Sequence, residues 1–269
     1  MKCAPFDYVR AESVDEVVTV LSEAGDDGKI LAGGQSLVPV LALRMARPAV
    51  LVDVNRIPGL AGIRAVGDVV EVGALVRHSR LLAQTEHPLL AEAARWIGHT
   101  AIRSRGTTGG SIVHADPSAE LPVVALATGA TAIVAGPAGT RTIGAEDLFV
   151  STLMTSLADD EMLTGMHFPR PRRWGFAEFA RRHGDFALVT AVVAEFDGSV
   201  RIALGGVAPV PVRVREAERV LDDGGSGRDT AQVAAREINP TSDLHGSVAF
   251  RRAIAAEMVR RALAQAGID

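Results

Sequence analysis

Cysteine is almost absent from this sequence, since Cys3 is the only one among 269 residues. A disulfide needs two thiols and an iron–sulfur cluster needs about four, so neither can form within this chain. The shortage also suits a reducing compartment. We therefore expect a cytoplasmic protein.

Long apolar runs and a strong net charge are missing as well. No stretch reaches the ~18 uncharged apolar residues that a membrane-spanning helix needs, and residues 1–17 lack the apolar segment of a signal peptide. The formal net charge of −4, with acidic and basic residues nearly balanced, gives no sign of nucleic-acid binding. The composition is that of a globular protein, and the length suits one large or two modest domains.

Helix and strand patterns alternate through the first 170 residues. Residues 13–25 predict a helix, with Ser13 and Glu16 at capping-box spacing and Gly25 at its end. The other elements predicted here are helices over 37–45 and 88–98, strands over 49–55, 68–76 and 161–169, and a hairpin over 130–148. Residues 102–122 predict a long polar loop, which is uncommon in compact domains unless it is functional.

A domain boundary is predicted near RPRRW, residues 170–174. Beyond it, Asp197 and Gly198 separate two apolar runs and favour a hairpin with a type I′ turn. Residues 222–229 predict a flexible surface loop, and residues 249–267 a terminal helix. Five arginines cluster at the boundary and predict either a solvated face or a contact with a partner or a ligand: Arg170, Arg172, Arg173, Arg181 and Arg182.

Two glycine pairs stand beside hydroxyl side chains, one in LAGGQSLVP and one in TTGGS. The first pair follows a short predicted strand and precedes a predicted helix, as in dinucleotide-binding units, although the GxGxxG spacing is absent. Either pair alone is more often a simple turn. Together, two such segments could bring backbone N–H groups and hydroxyls to a pyrophosphate.

Four motifs in order resemble the FAD-binding medium subunits of molybdenum hydroxylases, the group of carbon monoxide dehydrogenase and bacterial xanthine dehydrogenase. They are LAGGQSLVPVLALRMARPAVLVDVNRI, IGHTAIRSRGTTGGSIVHADPSAELP, EFARRHGDFALV and SDLHGSVAFRR. The resemblance implies an α+β fold with a two-lobed FAD-binding domain of the vanillyl-alcohol-oxidase type over residues 1–170, its lobes about 1–56 and 57–170. A smaller α+β domain, an antiparallel sheet with helices, would follow over 171–269.

The same resemblance implies which residues bind FAD. One group would wrap the pyrophosphate, with the Gln35 amide and the Ser36 hydroxyl as donors: Leu31, Ala32, Gly33, Gly34, Gln35, Ser36 and Leu37. A second would lie along the pyrophosphate and ribityl chain: Thr107, Thr108, Gly109, Gly110 and Ser111. Ile97 and Leu163 would make apolar contacts with the FAD rings, and Glu120 would form a hydrogen bond with the cofactor. Apart from the resemblance, His114 and Asp116 allow an acid–base pair or a metal site, but a metal site needs three or four ligands, so a polar loop that lines the flavin is favoured.

Several positions depart from the family pattern or admit another interpretation. The acid at position 120 is commonly Asp, and Glu178 stands where a lysine is often found, which could alter the flavin potential. Tyr8 is the only tyrosine, so an aromatic lid over the flavin would be Phe or Trp, such as Phe186. His78, His87 and His99 are predicted at the surface or at helix ends. No residue is assigned to a metal or to catalysis.

The predicted function is that of an electron-transfer flavoprotein subunit with non-covalently bound FAD. The resemblance implies a large molybdopterin-binding subunit, which oxidises the substrate, and a small subunit with [2Fe–2S] clusters, which passes electrons to the FAD; the assembly would be a dimer of heterotrimers. Two alternatives stay open: a stand-alone flavin oxidase or dehydrogenase, and a non-redox nucleotide-binding module.

Overall fold

The computed structural model of this chain describes residues 2–268. Its strands are β1 (Asp7–Arg10), β2 (Gly28–Leu31), β3 (Val50–Asp53), β4 (Ile63–Val66), β5 (Val69–Gly73), β6 (Thr131–Gly136), β7 (Gly139–Gly144), β8 (Phe149–Ser151), β9 (Met154–Thr155), β10 (Met162–Pro169), β11 (Arg173–Phe179), β12 (Val189–Phe196), β13 (Ser199–Gly205) and β14 (Val212–Arg213). Its helices are α1 (Val14–Ala24), α2 (Leu37–Ala42), α3 (His78–Ala83), α4 (Pro88–Trp96), α5 (Thr100–Arg103), α6 (Thr108–His114), α7 (Glu120–Thr128), α8 (Ala145–Leu148), α9 (Arg215–Asp222), α10 (Gly227–Glu237) and α11 (Val248–Gln265).

Three main sheets follow one another along the chain, which makes the fold α+β as predicted. The first is parallel, in the order β1-β3-β2, with α1 packed on it. The second is a five-stranded antiparallel sheet in the order β4-β5-β10-β6-β7. The third is antiparallel in the order β11-β12-β13-β14, and β8 pairs with β9 separately.

Local sequence signals are confirmed where side chain and backbone act within a few residues. The hydroxyl of Ser13 accepts a hydrogen bond from the N–H of Glu16 at 3.2 Å, and Gly25 ends the helix with a φ of +55°. Asp197 and Gly198 have φ values of +50° and +88°, as a type I′ turn requires. The hairpin, the terminal helix and the capped first helix all form as predicted.

Three segments differ from the sequence prediction. The long loop predicted over 102–122 is wrong, because this stretch contains all of α6, the end of α5 and the start of α7. The helix predicted over 37–45 ends already at Ala42, and the loop predicted over 222–229 is reduced to the short link between α9 and α10. The low helix propensity of Gly, Thr and Ser hides these short helices from a pattern analysis.

Helix α7 is buried on every side, since each of its nine residues is buried. It packs between the second and third sheets, where Val123 belongs to the same core cluster as Phe176 and Val192. The opposite face of the third sheet packs on α11, through Ala191 and Met258 among others. Even-numbered residues of β11 and β12 therefore face α7, and odd-numbered residues face α11.

Within residues 2–268, no helix combines the length and the hydropathy that crossing a bilayer requires.

Candidate functional site

The first glycine loop, residues 32–36, joins β2 to α2 and presents a row of free backbone donors. Within the described chain, none of the N–H groups from Gly33 to Leu37 donates to a protein acceptor. Gly34 has a φ of +72°, a conformation that side chains with a Cβ adopt rarely. The Gln35 amide donates to the Gly33 carbonyl at 3.2 Å, inside the loop. Consecutive unpaired N–H groups in such a turn form an anion-binding concavity.

The first glycine loop lies directly against the chain that precedes α6. A Cβ on Gly33 would lie 2.6 Å from the carbonyl oxygen of Arg105 and 2.9 Å from the Cα of Gly106. Both are backbone atoms that cannot turn aside. Glycine at position 33 is therefore required by this close approach, which places the first glycine loop beside residues 105 and 106, directly before Thr107.

Two residues that the sequence interpretation missed hold this junction. The Asn55 amide donates to the Ala32 carbonyl at 2.8 Å, and the Arg77 guanidinium donates to the Asn55 side-chain oxygen at 2.6 Å. The same guanidinium also donates to the Arg105 carbonyl. Asn55 follows the buried strand β3, and a polar residue at a strand end was the available signal. The Asn55–Arg77 pair thus connects the first glycine loop to residue 105.

The second glycine segment, residues 107–111, is the first turn of α6 and its cap. Thr107 caps the helix by accepting from the N–H of Gly110 at 3.1 Å. The N–H groups of Thr108 and Gly109 donate to the carbonyls of Val76 and Ala74. These donors are therefore used inside the protein, and the segment offers a ligand the Cβ-free surface of Gly110 and the hydroxyl of Ser111.

Gly109 serves packing, because a Cβ there would lie 2.7 Å from the Cβ of Ala74. Thr108 is fully buried and its hydroxyl donates to the Val76 carbonyl at 3.3 Å. The expectation that both glycine segments turn backbone N–H groups outward thus holds for the first and not for the second. The predicted contacts of Thr108 and Gly109 with a cofactor stay predictions.

The other residues predicted to contact FAD differ in how deeply they are buried. Ile97 and Leu163 are buried, while His114 and Asp116 are half-buried at the end of α6. The Asp116 carboxylate accepts from the N–H of Ser118 at 2.8 Å and shapes the turn into α7. Residues 180–188 approach the same region, since the His183 ring lies 5.3 Å from that of Trp96, the residue before Ile97. Phe186 in this segment is 76% exposed.

The arginine cluster at the boundary is largely engaged within the chain. Arg172 pairs with Asp197 at 2.6 Å, Arg173 with Glu195 at 3.5 Å, and Arg170 donates to the Gly67 carbonyl. Arg181 donates to the carbonyl of residue 245 at 3.1 Å. The guanidinium side chains of Arg172, Arg173 and Arg181 lie on the surface, which supports the solvated-face interpretation.

All three histidines lie at helix ends as predicted. His99, the N-cap of α5, is exposed, whereas His78 and His87 are buried. His78 starts α3 and is 5% exposed, and its Nε2 lies 2.9 Å from the Thr107 carbonyl oxygen. His87 is fully buried and caps α4. Burial disfavours the charged ring and lowers the pKa of each to about 4. Both rings are neutral near pH 7, so His78 Nε2 carries the proton that it donates to Thr107.

The burial of His78 predicts that the free energy of unfolding decreases at acidic pH. Its pKa is about 6.5 in an unfolded chain and about 4 in the folded one, so the unfolded chain binds more protons between these values. The stabilisation is present above pH 6.5 and is lost as the pH falls towards 4. Between pH 7.5 and pH 5, the free energy of unfolding should fall by about 2 kcal/mol less in His78→Gln than in the wild type. The glutamine amide keeps a hydrogen-bond donor for the Thr107 carbonyl.

Urea unfolding at pH 7.5 and pH 5 measures this difference. His245→Gln, a substitution at an exposed histidine, is the control and should show the wild-type dependence on pH. A wild-type pH dependence in His78→Gln would contradict the assignment of a neutral, buried ring to His78.

Family comparison agrees with this geometry over almost the whole chain. Residues 4–171 match the model of the FAD binding domain in molybdopterin dehydrogenase. Residues 174–266 match the model of the CO dehydrogenase flavoprotein C-terminal domain. The two matches meet at the start of β11, where the third sheet begins.

Full-length relatives give the same result. The chain is 41% identical over 281 residues to the nicotine 6-hydroxylase medium subunit of Paenarthrobacter nicotinovorans, covering 99% of both chains. It is 37% identical to the carbon monoxide dehydrogenase medium chain of Hydrogenophaga pseudoflava, covering 96% of both.

Solved structures match the fold closely. Carbon monoxide dehydrogenase from Hydrogenophaga pseudoflava superposes with a TM-score of 0.93, covering 99% of both chains at 37% identity. Quinoline 2-oxidoreductase from Pseudomonas putida 86 gives 0.92, covering 99% of this chain and 98% of that one at 35% identity. The chain belongs to the family of FAD-binding medium subunits of molybdenum hydroxylases, and is an oxidoreductase flavoprotein subunit.

The residues present fit FAD on the evidence of their own geometry. The row of free N–H groups in the first glycine loop supplies donors for a phosphate, and the space above Gly33 is closed by backbone. Glycine at position 33 fits against this backbone, and glycine at position 34 adopts the φ of +72°, so both are needed for the conformation that leaves the N–H groups free. The first glycine loop is therefore suited to a diphosphate.

Proposed function

We propose that this chain binds one FAD non-covalently and passes electrons through it, from the [2Fe–2S] clusters of a partner subunit to an external acceptor. The observation that carries the proposal is the set of unpaired N–H groups from Gly33 to Leu37, in a chain of this family. Cys3 is far in sequence from both glycine segments, which supports non-covalent binding.

Residues of both glycine segments would hold the cofactor. The pyrophosphate would be wrapped by Leu31–Leu37, and the segment Thr107–Ser111 would lie along it, with Gly110 and Ser111 as its accessible members. Ile97, Leu163, His114, Asp116 and Glu120 would complete the site. FAD supplies the redox chemistry, and the chain supplies binding, orientation and a local electrostatic field.

The complex would place the organic substrate on another subunit. A large subunit with molybdopterin would oxidise it, and a small subunit with two clusters would cover part of the FAD-binding region. The three chains would form a dimer of heterotrimers in the cytoplasm. In this chain, residues 1–170, with lobes 1–56 and 57–170, would bind FAD, and residues 171–269 would form the second domain.

Flavin reduction by an organic substrate tests this function. We expect the chain expressed alone to be yellow, to release FAD on denaturation, and to show no measurable bleaching of the flavin by any organic hydroxylation substrate. The physical reason is that one cysteine cannot ligate a cluster. Co-expression with a molybdopterin subunit and a cluster-binding subunit should restore rapid bleaching.

The alternatives give different results in the same experiment. A colourless protein that does not bind added FAD would support the non-redox nucleotide-binding module. Rapid bleaching of the lone chain by an organic substrate would support a stand-alone oxidase or dehydrogenase. Flavin that stays with the denatured polypeptide would contradict non-covalent binding.

A further inference from the structure

Two acidic residues, Glu120 and Glu178, are buried where α7 meets the third sheet. Glu178 on β11 lies opposite Thr190 on β12, whose hydroxyl donates to the Glu178 Oε2 at 3.3 Å, and Thr190 lies opposite Gly205 on β13. A Cβ on Gly205 would lie 3.7 Å from the Thr190 Cβ. These residues therefore form one row across the face that packs on α7.

Helix α7 brings Glu120 over this row. The position of a Cβ on Gly205 is in direct contact with the side chain of Val123 and lies 3.5 Å from the Pro117 carbonyl oxygen. Glu120 precedes Val123 by three residues, so the two share a helix face. Glu120 is 7% exposed and Glu178 is 8% exposed, and the charge of Glu178 acts on the Glu120 carboxyl. Both carboxyl groups are therefore buried between α7 and the third sheet, close enough to interact.

The pair lacks partners that would stabilise two negative charges. The Oε1 atom of Glu178 is fully buried and has no hydrogen-bond partner in the described chain. Thr190 and Gly205 bring no charge, and the further charge that acts on Glu120 is the acidic Asp116. Burial, followed for Glu120 by the charge of Glu178, raises the pKa of Glu120 well above its usual range and that of Glu178 to about 7.

We propose that Glu120 and Glu178 together hold about one proton at neutral pH and take up another when the bound cofactor gains electrons. The inference rests on the proposed FAD site, which includes Glu120. The electrons come from the reductant, and the proton comes from solvent. The proton forms one O–H bond on a carboxylate oxygen, and no group leaves. Added negative charge beside a buried carboxylate raises its proton affinity, and this couples reduction to protonation.

The dependence of the flavin midpoint potential on pH tests the proposal in the full chain loaded with FAD. We expect the potential of the wild type to fall with pH more steeply than that of Glu178→Gln between about pH 6 and pH 8, by up to about one proton per two electrons. Glutamine keeps the shape of the side chain and cannot bind the proton. Glu120→Gln should reduce the dependence of the midpoint potential on pH in the same way. This variant provides the test if Glu178→Gln does not fold.

A matched control separates this effect from the loss of any buried carboxylate. Glu195→Gln replaces a 5%-exposed glutamate of the same sheet that pairs with Arg173, and it should keep the wild-type slope. Equal slopes in wild type, Glu178→Gln and Glu120→Gln would overturn the proposal while leaving FAD binding intact. A wild-type chain that binds no FAD would instead refute the proposed function.

Discussion

Gly33→Ala is expected to lower the affinity of the chain for FAD at least about 100-fold, which corresponds to about 3 kcal/mol. The added Cβ would lie 2.6 Å from the Arg105 carbonyl oxygen and 2.9 Å from the Gly106 Cα, and both are backbone atoms. The first glycine loop must then move away from the chain that leads into α6. The row of free N–H groups in this loop would then move with it. Fluorescence titration of the apo-protein with FAD measures the change.

Gly62→Ala is the matched control for this substitution. A Cβ at position 62 has only the Gly59 carbonyl oxygen nearby, at 3.9 Å, so FAD affinity should stay at the wild-type value. Circular dichroism of both apo-proteins shows whether the chain stays folded. Wild-type affinity in Gly33→Ala would mean that the close approach of the two segments is not needed for the cofactor.

Gly175→Ala is expected to destabilise the protein by about 3 kcal/mol without touching the first glycine loop. A Cβ at position 175 would fall on the backbone oxygen of Ala262, so α11 lies directly on β11. Ala262 is fully buried, and its helix has no room to shift without opening the core against Ala191 and Met258. Urea unfolding of the apo-protein measures the loss of free energy.

Gly144→Ala controls for the general effect of replacing a glycine. Its Cβ would find only the Asp147 carboxylate, at 3.9 Å, so stability should change by less than about 1 kcal/mol. Stability of Gly175→Ala equal to that of the wild type would show that α11 can move off β11 at little cost.

Short-range signals in the sequence were sufficient for many elements. The capping contact of Ser13 with Glu16 and the turn at Asp197 and Gly198 involve residues at most three apart. Their hydrogen bonds and backbone conformations are determined locally, so a pattern of residue types predicts them. The glycine-rich motifs also identified the family, and with it the cofactor.

Helices α5 and α6 were not predictable in this way. Residues 102–122 contain too many residues of low helix propensity, and α6 forms because Thr107 caps it and because Ile112 is fully buried in the core. Tertiary packing overrides propensity in such short helices.

The sequence by itself determined the α+β fold class, many of the local elements, the family and the position of the two glycine segments. Only the tertiary structure decided what each glycine does: Gly33 permits a backbone approach across more than 70 residues, whereas Gly109 makes room for Ala74. The same holds for the burial of His78 and for the meeting of Glu120 with Glu178. These properties arise between residues far apart in the chain, and no local pattern encodes which distant atom occupies the space beside a side chain.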